Sequence, residues 1–130
     1  MESAAYEAGD ICDNVIIGGL NMRIAAVICE YNPFHNGHKH QIDTARTELG
    51  CDGFIGLMSG NFVQRGEFAV FDKSVRAAAA ISCGIDLVLE NPTDCVLRSA
   101  EIYADRAVYI LRSAVSIILC LVRKNPIYRN

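Results

Sequence analysis

Between Arg23 and Leu111, short unbroken apolar runs alternate with amphipathic stretches of helical length. Ile24-Ala25-Ala26-Val27-Ile28-Cys29 contains no polar residue, as a strand covered on both faces requires. Gly37 to Leu49 reads as a helix, with Gly50 placed to stop it. Phe54-Ile55-Gly56-Leu57-Met58 is a second buried strand, followed by a glycine-containing loop from Ser59 to Ala69. Asp72 is positioned to cap a helix that runs to Cys83 and ends at Gly84. Ile85 to Leu89 forms a third strand, which Pro92 cannot continue, and Leu97 to Leu111 reads as a third helix. This order predicts a Rossmann-like α/β fold, a parallel sheet flanked by helices with right-handed crossovers. Ligands on such sheets bind beyond the carboxyl ends of the strands, where Glu30 to His38 falls.

At 130 residues the chain holds one domain. Apolar residues make up 52% and charged residues 21%, which is ordinary globular composition and not that of a disordered chain. Residues 1–21 differ from the rest of the chain: they are small and acidic at first, then apolar up to Gly18-Gly19, which reads as a turn. They are expected to be a poorly ordered N-terminal extension, residues 22–113 a partial, truncated α/β domain, and residues 114–130 a divergent tail. Val115 to Val122 within that tail has the composition of a fourth strand.

The six cysteines are widely spaced, with no CxxC pair, and no basic stretch followed by an apolar segment opens the chain. They read as reduced thiols of a cytoplasmic protein. The apolar run Ala114 to Val122 is far shorter than the roughly 20 residues of a membrane helix, so no membrane association is expected. A net charge of −3 does not advertise nucleic-acid binding, although a local basic patch can sit within an acidic total. Nothing in the sequence sets an oligomeric state.

The loop after the first strand, Glu30-Tyr31-Asn32-Pro33-Phe34-His35-Asn36-Gly37-His38, carries the chemistry. Pro33 stiffens the turn and restricts Asn32 to extended geometry. Gly37 leaves room for a ligand to approach the main chain. His35 and His38 are three residues apart at a helix start, a spacing that aims both imidazoles at the same point. Free N–H groups and the helix dipole there favour anions, so a phosphate chain is the natural guest. In adenylyl transfer the α-phosphate gains negative charge, and imidazole donors placed there stabilise the transition state more than the ground state.

Other readings weigh against this. His35, His38 and His40 could hold zinc with a cysteine, but His38 and His40 diverge on a helix and no companion pair exists. His40 also reads as an ordinary surface histidine. HxGH is a weak signal as four letters and a stronger one between a buried strand, a proline-bearing loop and a helix. No Walker A lysine motif, GxGxxG after a strand or GxSxG elbow occurs.

Further blocks extend the pattern: Met58-Ser59-Gly60-Asn61-Phe62-Val63-Gln64-Arg65-Gly66-Glu67, Asp72-Lys73, Gly84 to Glu90, and Ser99 to Ala104. In order and spacing these blocks, over about residues 23–112, resemble the bacterial tRNA(Met) cytidine acetate ligase family of the HIGH nucleotidyltransferase superfamily. The resemblance implies activation of acetate with ATP to acetyl-adenylate, then N4-acetylation of the wobble cytidine of elongator tRNA(Met). It implies that Ile28-Cys29-Glu30-Tyr31-Asn32-Pro33-Phe34-His35-Asn36-Gly37-His38-Lys39-His40-Gln41 forms the ATP-binding loop and helix start, with His35 and His38 on the phosphates. Mg²⁺ would accompany ATP.

Arg65 and Lys73 are candidate helpers, Arg65 toward phosphate or RNA, with solvated surface roles as the alternative for each. Glu67 and Glu90 read as polar partners or exposed carboxylates, and Phe62 and Phe68 as loop anchors rather than base-stacking platforms. Asn91, Arg98 and Arg106 depart from the family pattern, and agreement stops after about Ser113. The family's later Ser/Thr-to-Arg signature and its RNA-binding part do not appear. The competing functional readings are therefore a non-catalytic truncated fragment that keeps only the HxGH half of the ATP site, or another small-molecule adenylyltransferase.

Overall fold

The computed structural model describes residues 15–17, 19–64, 66–114 and 118–119. Most of the expected extension and tail, and Arg65, lie outside the described residues. A four-stranded parallel sheet organises the rest. Its central strand, β3 (Ile24–Cys29), follows a short antiparallel hairpin of β1 (Val15–Ile17) and β2 (Leu20–Met22), turned at Gly19. Helix α1 (Asn36–Leu49) leads to β4 (Gly53–Ser59), which pairs with β3 from Ile24↔Gly53 to Cys29↔Met58. Helix α2 (Lys73–Ser82) leads to β5 (Leu87–Asn91), paired with β4 from Ile55↔Leu87 to Ser59↔Asn91. After α3 (Thr93–Val96) and α4 (Ala100–Ala114), β6 (Ile118–Leu119) joins the far side of β3, giving the order β5-β4-β3-β6.

The absence of polar residues in β3 follows from this placement. Ala25, Val27 and Cys29 pack with Ile42, Ala45 and Leu49 of α1 and Ala80 of α2, while Ile24 and Ala26 pack on the other face with Ala107 and Leu111 of α4. Strand pleating sends alternate side chains to opposite faces, so a strand between two helical layers must be apolar at every position. The chain crosses from β3 to β4 on one side, and β6 lies on the other. The strand order reverses at β3, where crevices open at carboxyl ends.

Local signals mostly set the boundaries. Gly50 takes the left-handed conformation at φ 54° and donates its N–H to the Arg46 carbonyl, closing α1 as expected. Asp72 caps α2 by accepting from the Ser74 N–H at 2.8 Å. Two expectations need correction. The third strand begins at Leu87 rather than Ile85, because Ile85 is buried against the end of α2 and the Asp86 carboxylate accepts from the Phe54 N–H at 2.7 Å. The helix expected from Leu97 to Leu111 is α4, which begins at Ala100, and the short α3 (Thr93–Val96) that precedes it was not expected. Pro92 starts α3, and Ser99 caps α4 by accepting from the Ile102 N–H, a start written in the Ser99 side chain.

Candidate functional site

The chain leaves β3 through a strained turn. Tyr31 is buried and has φ 49°, a left-handed conformation that costs a non-glycine residue about 1–3 kcal/mol. A cis bond joins Asn32 to Pro33. Two side chains of this turn fasten the loop beyond β4: the Glu30 carboxylate accepts from the Gln64 N–H, and Asn32 Oδ1 from the Val70 N–H, each at 2.7 Å. The second loop closes on itself through a bridge between Phe62 and Phe68, whose rings lie 4.8 Å apart. The Phe68 ring nonetheless stays largely exposed.

His35 and His38 form a reciprocal cap on α1. His35 Nδ1 accepts from the Gly37 N–H at 3.1 Å, and His38 Nδ1 accepts from the His35 N–H at 3.2 Å. The two rings stack with centroids 3.7 Å apart. An imidazole whose Nδ1 accepts carries its proton on Nε2. Both histidines are thus fixed as neutral tautomers with Nε2–H donors left over at the helix N-terminus. Burial, with the neighbouring His35 adding to it, pulls the His38 pKa below 6.5 and keeps the ring neutral. Tyr31 and Phe34 flank His38 at 4.9 and 5.5 Å. Gly37 is required beneath them, because a Cβ there would lie 2.9 Å from the His35 ring carbon Cε1.

The rest of the expected loop divides by position. Cys29 is buried, and burial pushes its thiol pKa up to about 12. Lys39 pairs with Asp43 at 2.6 Å, and His40 is exposed one residue further along α1. Lys73 pairs with Glu90 across the carboxyl ends of the sheet at 2.7 Å, with both side chains about half exposed. No three His, Cys, Asp or Glu side chains gather among the described residues.

Sequence reasoning missed Arg76. It is 1% exposed, and its guanidinium donates to four main-chain carbonyls: Phe71 at 3.0 Å, Glu30 at 2.6 Å, Ser59 at 3.1 Å, and Gly60. It therefore ties the ends of β3 and β4 to the start of α2. The available signal was an arginine in the otherwise small, apolar run Val75 to Ile81.

At the carboxyl end of β3 lies a cleft of about 580 Å³. Ile28, Val63 and Ala100 wall it, and Glu30, Asn32, Gln64, Glu67 and Tyr103 turn polar groups toward it. Behind Tyr103 sit the fully buried Ser59 and Asn91. Ser59 Oγ is 3.4 Å from the Tyr103 hydroxyl, and Asn91 bears on the same hydroxyl. Burial raises the Tyr103 pKa, partly offset by Ser59, so the phenol stays protonated and able to donate.

The HIGH Nucleotidyl Transferase family profile matches residues 22–122. The chain is 49% identical over 92 residues to the tRNA(Met) cytidine acetate ligase of Clostridium botulinum, covering 71% of this chain and 22% of the relative. It is 46% identical over 105 residues to that of Pediococcus pentosaceus, covering 81% and 29%. The crystal structure of Thermotoga maritima TmcAL bound with alpha-thio ATP superposes with a TM-score of 0.71 at 44% identity, covering 74% of this chain and 23% of that one. The chain thus spans about a quarter of the length of these relatives.

Proposed function

Because this chain belongs to the HIGH nucleotidyl transferase family, we propose that it binds ATP at the histidine cap and serves the ATP-dependent activation of acetate in tRNA(Met) cytidine acetylation. The reading is carried by the reciprocal cap, which leaves two Nε2–H donors at the positive end of a helix. A triphosphate seated there would receive hydrogen bonds from both Nε2–H groups. Attack by an acetate oxygen on the α-phosphorus forms the mixed anhydride as pyrophosphate leaves. The charge that grows on the α-phosphate oxygens meets neutral, preoriented donors. Mg²⁺, in this reading, arrives with the triphosphate, since no protein-built cluster for it occurs among the described residues.

ATP titration followed through the histidine ring resonances tests the first step. Both His35 and His38 should shift, and His35→Ala should weaken binding about tenfold or more, as for a lost hydrogen bond to a charged group. Acetate-dependent exchange of labelled pyrophosphate into ATP tests the second. ATP binding that bypasses both histidines would overturn the whole reading. Binding without exchange would remove the chemistry and leave a nucleotide-binding domain.

A further inference from the structure

The two histidines that cap α1 both accept through the atom that a proton would occupy. His35 Nδ1 takes the Gly37 N–H, and His38 Nδ1 takes the His35 N–H. An imidazolium carries a donor at each nitrogen and can accept neither bond. Protonating one ring therefore removes a bond from the cap and sets one N–H against another. The rings stack with centroids 3.7 Å apart, so a charge on one acts on the other at short range. Among the described residues nothing nearby offsets that charge, and no ion pair joins a carboxylate to either ring. The turn brings the uncharged Tyr31 and Phe34 rings to His38. Helix α1 brings His40 and Lys39, whose ammonium is paired with Asp43. Helix α2 brings the Arg76 guanidinium to the Glu30 carbonyl behind the turn, and the Glu30 carboxylate is taken up by the Gln64 N–H. Arg65, outside the described residues, can add only positive charge. The helix dipole opposes a cation at this end as well.

We propose that the reciprocal cap is a proton-operated latch: with both rings neutral it holds the two Nε2–H donors in place, and a proton on either ring opens it. Its consequence for nucleotide binding rests on the reading that a triphosphate sits at this cap. Burial, with His35 adding to it, keeps the His38 pKa below 6.5, so the latch is closed at neutral pH and opens as pH falls through that lowered value. Opening has a definite sign for an anion. A unit positive charge about 4 Å from a phosphate in bulk water is worth only about fivefold in affinity. Losing one placed hydrogen bond to a charged group costs about tenfold or more, and opening frees both donors. Acidification should therefore weaken anion binding, the reverse of what an unconstrained histidine pair does.

The 130-residue chain without nucleotide is titrated by NMR across a window bracketing the ordinary histidine pKa of about 6.5. The His38 ring resonances report protonation, and the His35 and Gly37 amide resonances report the latch. Both amides should move with the His38 ring, at one midpoint below 6.5. His38→Gln places the usual capping-box acceptor at this position without a titrating group, and should leave the His35 amide unmoved. His35→Asn, a preferred cap residue, should do the same for the Gly37 amide. Protonation of His38 with the His35 amide unmoved, or a midpoint at or above 6.5, would overturn the latch. ATP affinity is then measured across the same window, with inorganic sulfate, whose charge is constant there, as a control for proton uptake by the nucleotide. The parent chain should lose at least about tenfold for both anions beyond any loss in His38→Gln. Equal or tighter binding at the acid end would overturn the consequence for binding. ATP that binds at no pH refutes the nucleotide reading, and the amide titration then decides the latch alone.

Discussion

Replacing Arg76 with methionine keeps an unbranched apolar stem but removes every donor. The four carbonyls it serves belong to the main chain and cannot be substituted away. Ser59 and Gly60 are buried, so their carbonyls would go unpartnered at about 1–3 kcal/mol each. Glu30 and Phe71 lie nearer the surface, where water replaces much of the loss. Relief of the buried guanidinium's desolvation offsets part of the total. The expected net cost is about 3–5 kcal/mol, a large share of the roughly 5–15 kcal/mol that holds a domain together. Urea unfolding followed by circular dichroism measures it, with the slope checked for change. A loss below about 1 kcal/mol would refute the view that Arg76 fastens the strand ends, because a solvated arginine would cost that little.

The same geometry sets three more outcomes. Gly37→Ala should lower stability by about 1 kcal/mol, the weight of a lost cap, although alanine normally favours a helix over glycine; thermal unfolding decides the sign, and ATP affinity should fall with it. His38 has a folded pKa below its unfolded value of 6.5. Its contribution to stability is complete above 6.5 and is lost as pH falls through the folded pKa, so unfolding midpoints should drop on acidification below 6.5 less in His38→Gln than in the parent chain. Cys29, with its pKa near 12, should stay unlabelled by a thiol reagent at neutral pH until the chain is unfolded, as read by peptide mass mapping.

The alternation of strands and helices, the stop at Gly50, the cap at Asp72 and the place of the HxGH turn were all legible in the sequence. Each depends on contacts within a few residues or on an apolar run that only a doubly covered strand can carry. The start of α4 after Ser99 was also local, but the apolar Leu97 drew the expected helix three residues too early and concealed the capping side chain. What tertiary structure alone decided joins residues far apart in the chain. Arg76 reaches the ends of two strands, Gln64 holds Glu30, and Tyr103 of α4 completes a cleft begun by β3. Such pairings arise where the sheet gathers its carboxyl ends, and no periodicity records them. The opening alternation of strand and helix therefore determined that a site would lie beyond Cys29. Packing across the sheet decided which side chains meet there and which protons they carry.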